Sequence, residues 1–210
     1  MNGTRKRDWV EIGATVLLAF SAVATAWSSY QANRWNGEQA KTSGKVNKIR
    51  IEAARASGLA NAQQQVDVAT FTSWVDAYAR DETELVAFYG TRFRPEFKPA
   101  FNAWIATKPL KTKGAPLTPF AMPQYRLAAK AEADRLDEAA EVLAAEVRQD
   151  IQRSSNYVLG VVLFAVALFF AGMSTKLTSG GPRKALLVIG CLLFVGTVVW
   201  IATFPISVAV

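Results

Sequence analysis

Five carboxylates stand close together in the second half of the chain: Glu132, Asp134, Asp137, Glu138 and Glu141. On a helix, Asp134, Glu138 and Glu141 share a face, and carboxylates at that spacing can hold a hard cation such as Mg²⁺ or Ca²⁺. They could equally supply half of a di-iron site, but that chemistry also needs a Glu-x-x-His pair, and the chain has no histidine. Lys130 and Arg135 are interleaved with the acids, a pattern that suits a solvated, ion-paired helix face. The expectation is therefore no metal site.

Other chemistries are limited by composition. Without histidine, a Ser-His-acid triad is impossible. The one cysteine, Cys191, excludes a disulfide within the chain and zinc sites of the Cys/His type. The glycine-bearing stretch "TSGGP", Thr178–Pro182, lacks the lysine spacing of a phosphate-binding loop. Ser/Lys catalysis stays formally open, but no particular pair is singled out. No catalytic residue and no cofactor is expected, and the chain does not read as an enzyme.

The elements that carry these residues are set by charge. Apolar residues make up 51% of the chain, and they concentrate in three runs without a single charged side chain: 12–33, 154–175 and 185–210. Each exceeds the roughly 20 apolar residues that a helix needs to cross about 30 Å of hydrocarbon. Three transmembrane helices are predicted. The net charge of +7 fits cations that flank spans, so membrane lipid is the expected partner and nucleic acid is not.

The first run resembles a signal peptide, with Arg5, Lys6 and Arg7 before it and Ala24-Thr25-Ala26 in a small-x-small arrangement. Glu11 interrupts its apolar core, and the segment is expected to be retained. Read as a helix, Trp9 to Trp27 spans ~27 Å and Trp9 to Tyr30 ~32 Å. Trp9, Trp27 and Tyr30 thus read as membrane-interface anchors. Trp35 lies ~12 Å beyond Trp27, too far for an interface ring, and is expected to pack against protein.

Between the first two runs the pattern is helical, with no strand alternation and no repeat. Residues 46–90 and 124–153 read as two long amphipathic helices, the second running without a breaker into the second span. The first is expected to break or bend at "KTSGK", Lys41–Lys45. Pro95 is expected to open a short helix with Phe97, Phe101, Trp104 and Ile105 on one face. Pro109, Pro116, Pro119 and Pro123 then prevent regular structure. That stretch is read as a cap and loop closing a helical hairpin; an interfacial helix or a docking surface is the alternative.

The phrases "TAWSSYQANRWNGEQA", "RFRPEFKPAF", "PLTPFAMPQY" and "ALFFAGMSTKL…GTVVWIATFP" together resemble a family of small bacterial three-span membrane proteins with no known activity. The resemblance covers nearly the whole chain. It implies one span, a helical domain and then a hairpin of two spans, and it carries no ligand or catalytic residue.

The predicted architecture is all-α, an integral membrane protein with three transmembrane helices and a coiled-coil-like helical hairpin as its extramembrane domain. Its parts are residues 1–9 as N-terminus, 10–30 as span one, and 31–153 as the helical domain with a Pro-rich loop at 108–123. Span two is 154–175, a short basic loop is 176–184, span three is 185–205, and the tail is 206–210. Arg5, Lys6 and Arg7, with Lys176, Arg183 and Lys184, place the N-terminus and the short loop in the cytoplasm. Residues 31–153 and the C-terminus then lie outside the bacterial plasma (inner) membrane. The cations Arg34, Lys41, Lys45, Lys48 and Arg50 argue the other way, but long segments translocate largely regardless of charge.

Two packing stripes are expected. Glu11, Thr15, Leu18, Ala22, Thr25 and Ser29 form one along the first span, the centre of an oligomer or the seam against the other two spans. Leu17 is placed on another face. Ala26, Tyr30, Asn33, Gly37, Ala40 and Gly44 form a small-residue seam with Trp35 beside it, expected to face Asp150, Ile151, Ser154 and Ser155. The expected role is that of a structural or accessory membrane protein, assembling with itself as a homo-oligomer or into a larger membrane complex. The rivals are a homo-oligomeric ion channel with Glu11 at its mouth and an envelope sensor that binds a ligand or partner.

Overall fold

The computed structural model describes residues 9–109 and 111–208, and among these the regular structure is entirely helical. Arg5, Lys6 and Arg7 lie outside the described residues. In chain order the helices are α1 (Trp9–Ala79), α2 (Thr83–Arg92), α3 (Lys98–Ala106), α4 (Ala128–Lys176) and α5 (Gly180–Ile201), with a 3-10 turn at Pro119–Ala121. Helices α1, α4 and α5 are each long and apolar enough to cross a membrane.

Several boundaries differ from the sequence expectation. Helix α1 passes through Lys41–Lys45 without a break. One glycine in a helix interior costs only about 1 kcal/mol against alanine, too little to end a helix of such length. The break falls instead at Arg80–Glu82, inside what the sequence pattern joined as one helix. Asp81 there adopts a left-handed φ of 58°, a conformation in which Asp is one of the enriched residues. Arg80 pairs with both Asp76 and Glu82 across this corner. The short aromatic helix starts at Lys98 rather than Pro95, with Pro99 in its first turn, where a missing N–H leaves no helical bond unmade. Helix α5 starts at Gly180, so Arg183 and Lys184 belong to a helix rather than to the connecting loop.

The chain divides into two compact units, residues 1–44 with 143–210, and residues 45–142. In the first, the buried row on α1 is Ala14, Leu17, Ser21, Ser28, Gln31, Ala32 and Trp35. On α4 it is Asp150, Tyr157, Phe164 and Ala171, with Ser154, Ala167 and Ser174 beside them. Positions 14, 21, 28 and 35, like 150, 157, 164 and 171, are seven apart, so one stripe of each helix stays inward. Gly190, Thr197 and Ile201 are the buried positions of α5. Close approach is enforced at Gly160, where an added Cβ would lie 2.3 Å from Ile201 Cδ1.

The second unit repeats the spacing and changes the filling. Val46, Ala53, Ala60, Asp67 and Trp74 are buried at seven-residue intervals on α1, and Ala133 and Ala140 on α4. Arg50 Nη2 donates to Glu141 Oε1 at 2.9 Å. Toward Trp74 the small residues give way to rings: Phe71, Trp74, Phe93, Phe97 and Trp104 form one buried cluster, with Phe101, Phe120 and Tyr125 packed against it.

Candidate functional site

Asp67 is the one carboxylate in the inward row of α1, and its side chain is fully buried. Its Oδ2 accepts from Arg94 Nη1 at 2.9 Å and from the Tyr125 hydroxyl at 3.1 Å. Arg94 lies between α2 and α3 and also pairs with Glu96 at 3.1 Å. Tyr125 precedes α4. One carboxylate oxygen therefore ties together three segments that are far apart in sequence. The other oxygen, Oδ1, is buried without a hydrogen-bond partner among the described residues.

The surroundings explain the electrostatics. Phe71 and Trp74 follow Asp67 by one and two helical turns, and the rings of Phe97 and Phe120 stand 5.9 and 5.1 Å from Tyr125. This apolar packing excludes water, and burial pushes the Asp67 carboxyl above its ordinary range. The Tyr125 hydroxyl and the Arg94 guanidinium oppose that shift without cancelling it. Burial, and then the neighbouring Asp67 carboxylate, raise the Tyr125 phenol well above its usual value, so Tyr125 is a neutral donor. The arrangement is an electrostatic clamp around a buried carboxyl. The sequence reading missed Asp67, Arg94 and Tyr125 as a group. The available signal was an aspartate in register with Val46, Ala53, Ala60 and Trp74.

The five-acid run on α4 is an ion-paired surface. Lys130 Nζ lies 2.5 Å from Asp134, and Arg135 grips Glu132 with bonds of 2.6 and 2.8 Å. No group of three or more His, Cys, Asp or Glu side chains among the described residues is placed to hold a metal ion.

In the unit built from residues 1–44 and 143–210, the first-span stripe does not form the seam within the chain. Glu11, Thr15 and Ala22 are exposed, and Leu18, Thr25 and Ser29 are half-buried. Leu17, placed on another face by the sequence reading, is buried, and its Cδ2 lies against Gly190. The inward face is offset because the seven-residue spacing selects Ala14, Ser21 and Ser28, small side chains on the face that is buried with Tyr157 and Phe164 of α4. Thr15 and Thr25 turn their hydroxyls onto Glu11 and Ser21 carbonyls of their own helix.

Polar groups recur along this buried face. Ser154 Oγ donates to the Ala32 carbonyl at 3.1 Å, and the Ser207 N–H donates to Gln31 Oε1 at 3.0 Å. Tyr157 donates to the Pro205 carbonyl at 3.2 Å. Ser21 Oγ and Ser28 Oγ are buried without partners among the described residues. Trp35 is buried, and the Arg153 guanidinium lies 4.5 Å over its ring. The expected small-residue seam is open: Ala26, Tyr30, Asn33, Gly37, Ala40 and Gly44 are all exposed, and a Cβ at Gly37 or Gly44 would meet nothing within 4 Å. Asp150 and Ser154 are buried, whereas Ile151 and Ser155 are exposed. Trp9, Trp27 and Tyr30 point outward, the last two with ring centroids 6.0 Å apart. Cys191 is exposed on α5.

Comparison with known protein families, curated proteins and solved structures finds no match.

Proposed function

We propose that the chain is a structural or accessory integral membrane protein of the bacterial plasma membrane, acting through helix-mediated assembly with itself or within a larger membrane complex. The observation that carries this reading is the outward face of span one. Glu11, Thr15, Ala22 and Ala26 are small or polar and exposed, on a helix whose neighbouring face holds Phe20, Val23 and Trp27. Lipid offers no hydrophobic drive for helix association, so small-residue faces are where membrane helices meet. The chain already uses Ala14, Ser21 and Ser28 for its own packing, and the second small face is left for another helix. The seven-residue spacing of Val46, Ala53 and Ala60, with the Arg50–Glu141 pair, supports a coiled-coil-like pairing of residues 45–79 with the start of α4. The N-terminus is assigned to the cytoplasm and residues 31–153 to the outside on the flanking charges alone.

The test is Ala22→Leu, compared with Val23→Leu on the adjoining bulky face. Native mass spectrometry from lipid nanodiscs should show Ala22→Leu shifted toward smaller assemblies and Val23→Leu unchanged. Equal assembly of both variants and wild type removes the outward face as the interface.

A further inference from the structure

At the far end of the aromatic cluster, in the unit of residues 45–142, lies a cleft of about 500 Å³. That volume lies within the roughly 300–1,000 Å³ of small-molecule sites. Trp74 and Tyr78 make one flat wall, their rings nearly parallel at 19° with centroids 5.3 Å apart. Trp104 stands across it at 78° to Trp74, its indole N–H committed to the Pro116 carbonyl at 2.7 Å. Val75, Tyr78 and Ile105 complete the apolar surface, and each is 40% or more exposed among the described residues.

Among the described residues the only charged side chains on the lining are Lys108 and Lys111, and no described carboxylate shares it. Neither lysine forms a salt bridge among the described residues. Their backbone N–H groups are hydrogen-bonded. Lys108 sits at φ 51°, a left-handed conformation that L side chains rarely adopt. The turn is held by Lys108 N–H on the Ile105 carbonyl and by Lys111 and Thr112 N–H groups on the Lys108 carbonyl, at 2.8 to 3.0 Å. Two unpaired cations are thus held on the wall of an open aromatic slot.

We propose that this cleft binds a small amphipathic anion, with an apolar ring or short acyl body between Trp74, Tyr78 and Ile105 and one acidic group at Lys108 and Lys111. Stacking on the Trp74–Tyr78 wall supplies apolar contact, and the lysines select the charge. The inference is independent of the assembly reading, since it uses no residue of the spans.

The experiment is equilibrium dialysis of full-length protein in phosphatidylcholine nanodiscs, with empty nanodiscs as the blank. The probes are naphthalene-2-sulfonate, octanoate and uncharged 2-naphthalenemethanol. Saturable binding of either anion, one per chain and above the blank, is expected. Binding of the sulfonate alone assigns a ring body, and of octanoate alone an acyl body. The double variant Lys108→Glu, Lys111→Glu should weaken binding roughly tenfold or more, as two exposed attractions become repulsions. Val75→Trp, which fills the slot and leaves both lysines in place, should abolish it. The proposal is overturned if neither anion binds saturably, if the neutral alcohol binds as well as the anions, or if affinity survives in both variants with wild-type circular dichroism.

Discussion

The two units solve the same packing problem with opposite side chains. Along residues 14–35 and 150–174 the buried positions are mostly alanine, serine and a few rings, with Gly160 and Gly190 allowing backbones to approach. In residues 45–142 the buried end is a nest of rings, from Phe71 to Trp104. The inward stripe has the same seven-residue spacing in both, so the helical geometry does not explain the difference. A difference in surrounding solvent would, if the proposed membrane setting holds. In the proposed membrane setting, burying apolar area releases no water, and close contact with hydroxyl hydrogen bonds is what holds helices together. In water, each large ring removed from solvent contributes the hydrophobic term in full. Polar burial differs in the same way: mostly hydroxyls and Gln31 in one unit, with Asp150 paired to Arg153 at 3.0 Å near one end, and the Asp67 clamp among rings in the other.

The strongest way to break this comparison is to remove a ring. Phe97 is fully buried, with Phe93, Phe120 and Tyr125 within 5.9 Å of its ring centroid. Phe97→Ala should cost the 45–142 unit about 3–5 kcal/mol. Hydrogen exchange read by mass spectrometry should show faster exchange in 60–79 and 98–106, with 154–175 unchanged. Loss of protection in 154–175 as well would mean that the two cores do not stand independently.

The clamp gives a prediction with a pH sign. Burial raises the folded-state pKa of Asp67 above its unfolded value. A group shifted that way contributes stability that is complete below the unfolded pKa, about 4, and is lost as pH rises through the folded value. Removing Arg94 takes away an interaction that opposes the shift and leaves the carboxylate with Tyr125 alone. Arg94→Met should therefore destabilise the unit by about 3 kcal/mol at pH 7 and by less at a lower pH such as 5, since any proton that Asp67 takes up removes the unpaired buried charge. Denaturant unfolding at the two pH values checks this. An equal loss at both would show that Asp67 carries no excess proton affinity.

A smaller effect is expected between helices. A Cβ at Gly160 would lie 2.3 Å from Ile201 Cδ1, the movable end of a side chain, and 3.6 Å from Ser28 Oγ. Gly160→Ala should be absorbed by a shift of Ile201, whereas Gly160→Leu should cost about 1–3 kcal/mol by overpacking. Thermal unfolding in nanodiscs separates the two. A neutral Gly160→Leu would mean that the helices are not held as close as the glycine allows.

What the sequence made legible follows from the same physics. Uncharged runs longer than a bilayer is thick are a global signal, so α1, α4 and α5 could be anticipated. The corner at Arg80–Glu82 could not, because it contains neither Gly nor Pro and depends on Asp81 accepting a left-handed φ. For span one the sequence left its small-residue stripe as either an oligomer centre or a seam within the chain; the face buried within the chain lies about one position away, because Ala, Ser and Thr occur on two adjacent faces and composition alone does not choose between them. Asp67 was visible as an acid in an apolar row. Its partners Arg94 and Tyr125 lie 27 and 58 residues away, and only the folded chain brings them together.

The smallest predicted effect bears on a face that neither core uses. Gly37 and Gly44 lie in the uninterrupted α1, where a Cβ would meet no atom within 4 Å. With no contact to lose, alanine should only remove glycine's helix penalty, so Gly37→Ala and Gly44→Ala should each stabilise by up to about 1 kcal/mol. The opposite sign would be informative. If either variant lowers the unfolding temperature of the assembled protein in nanodiscs while stabilising the monomer in detergent, the open glycine face is covered by a second chain. Bulk at that face would then act on assembly rather than on the fold. Gly44→Leu in place of Gly44→Ala would enlarge that split, because helix propensity barely separates the two residues whereas the added volume separates a covered face from an open one.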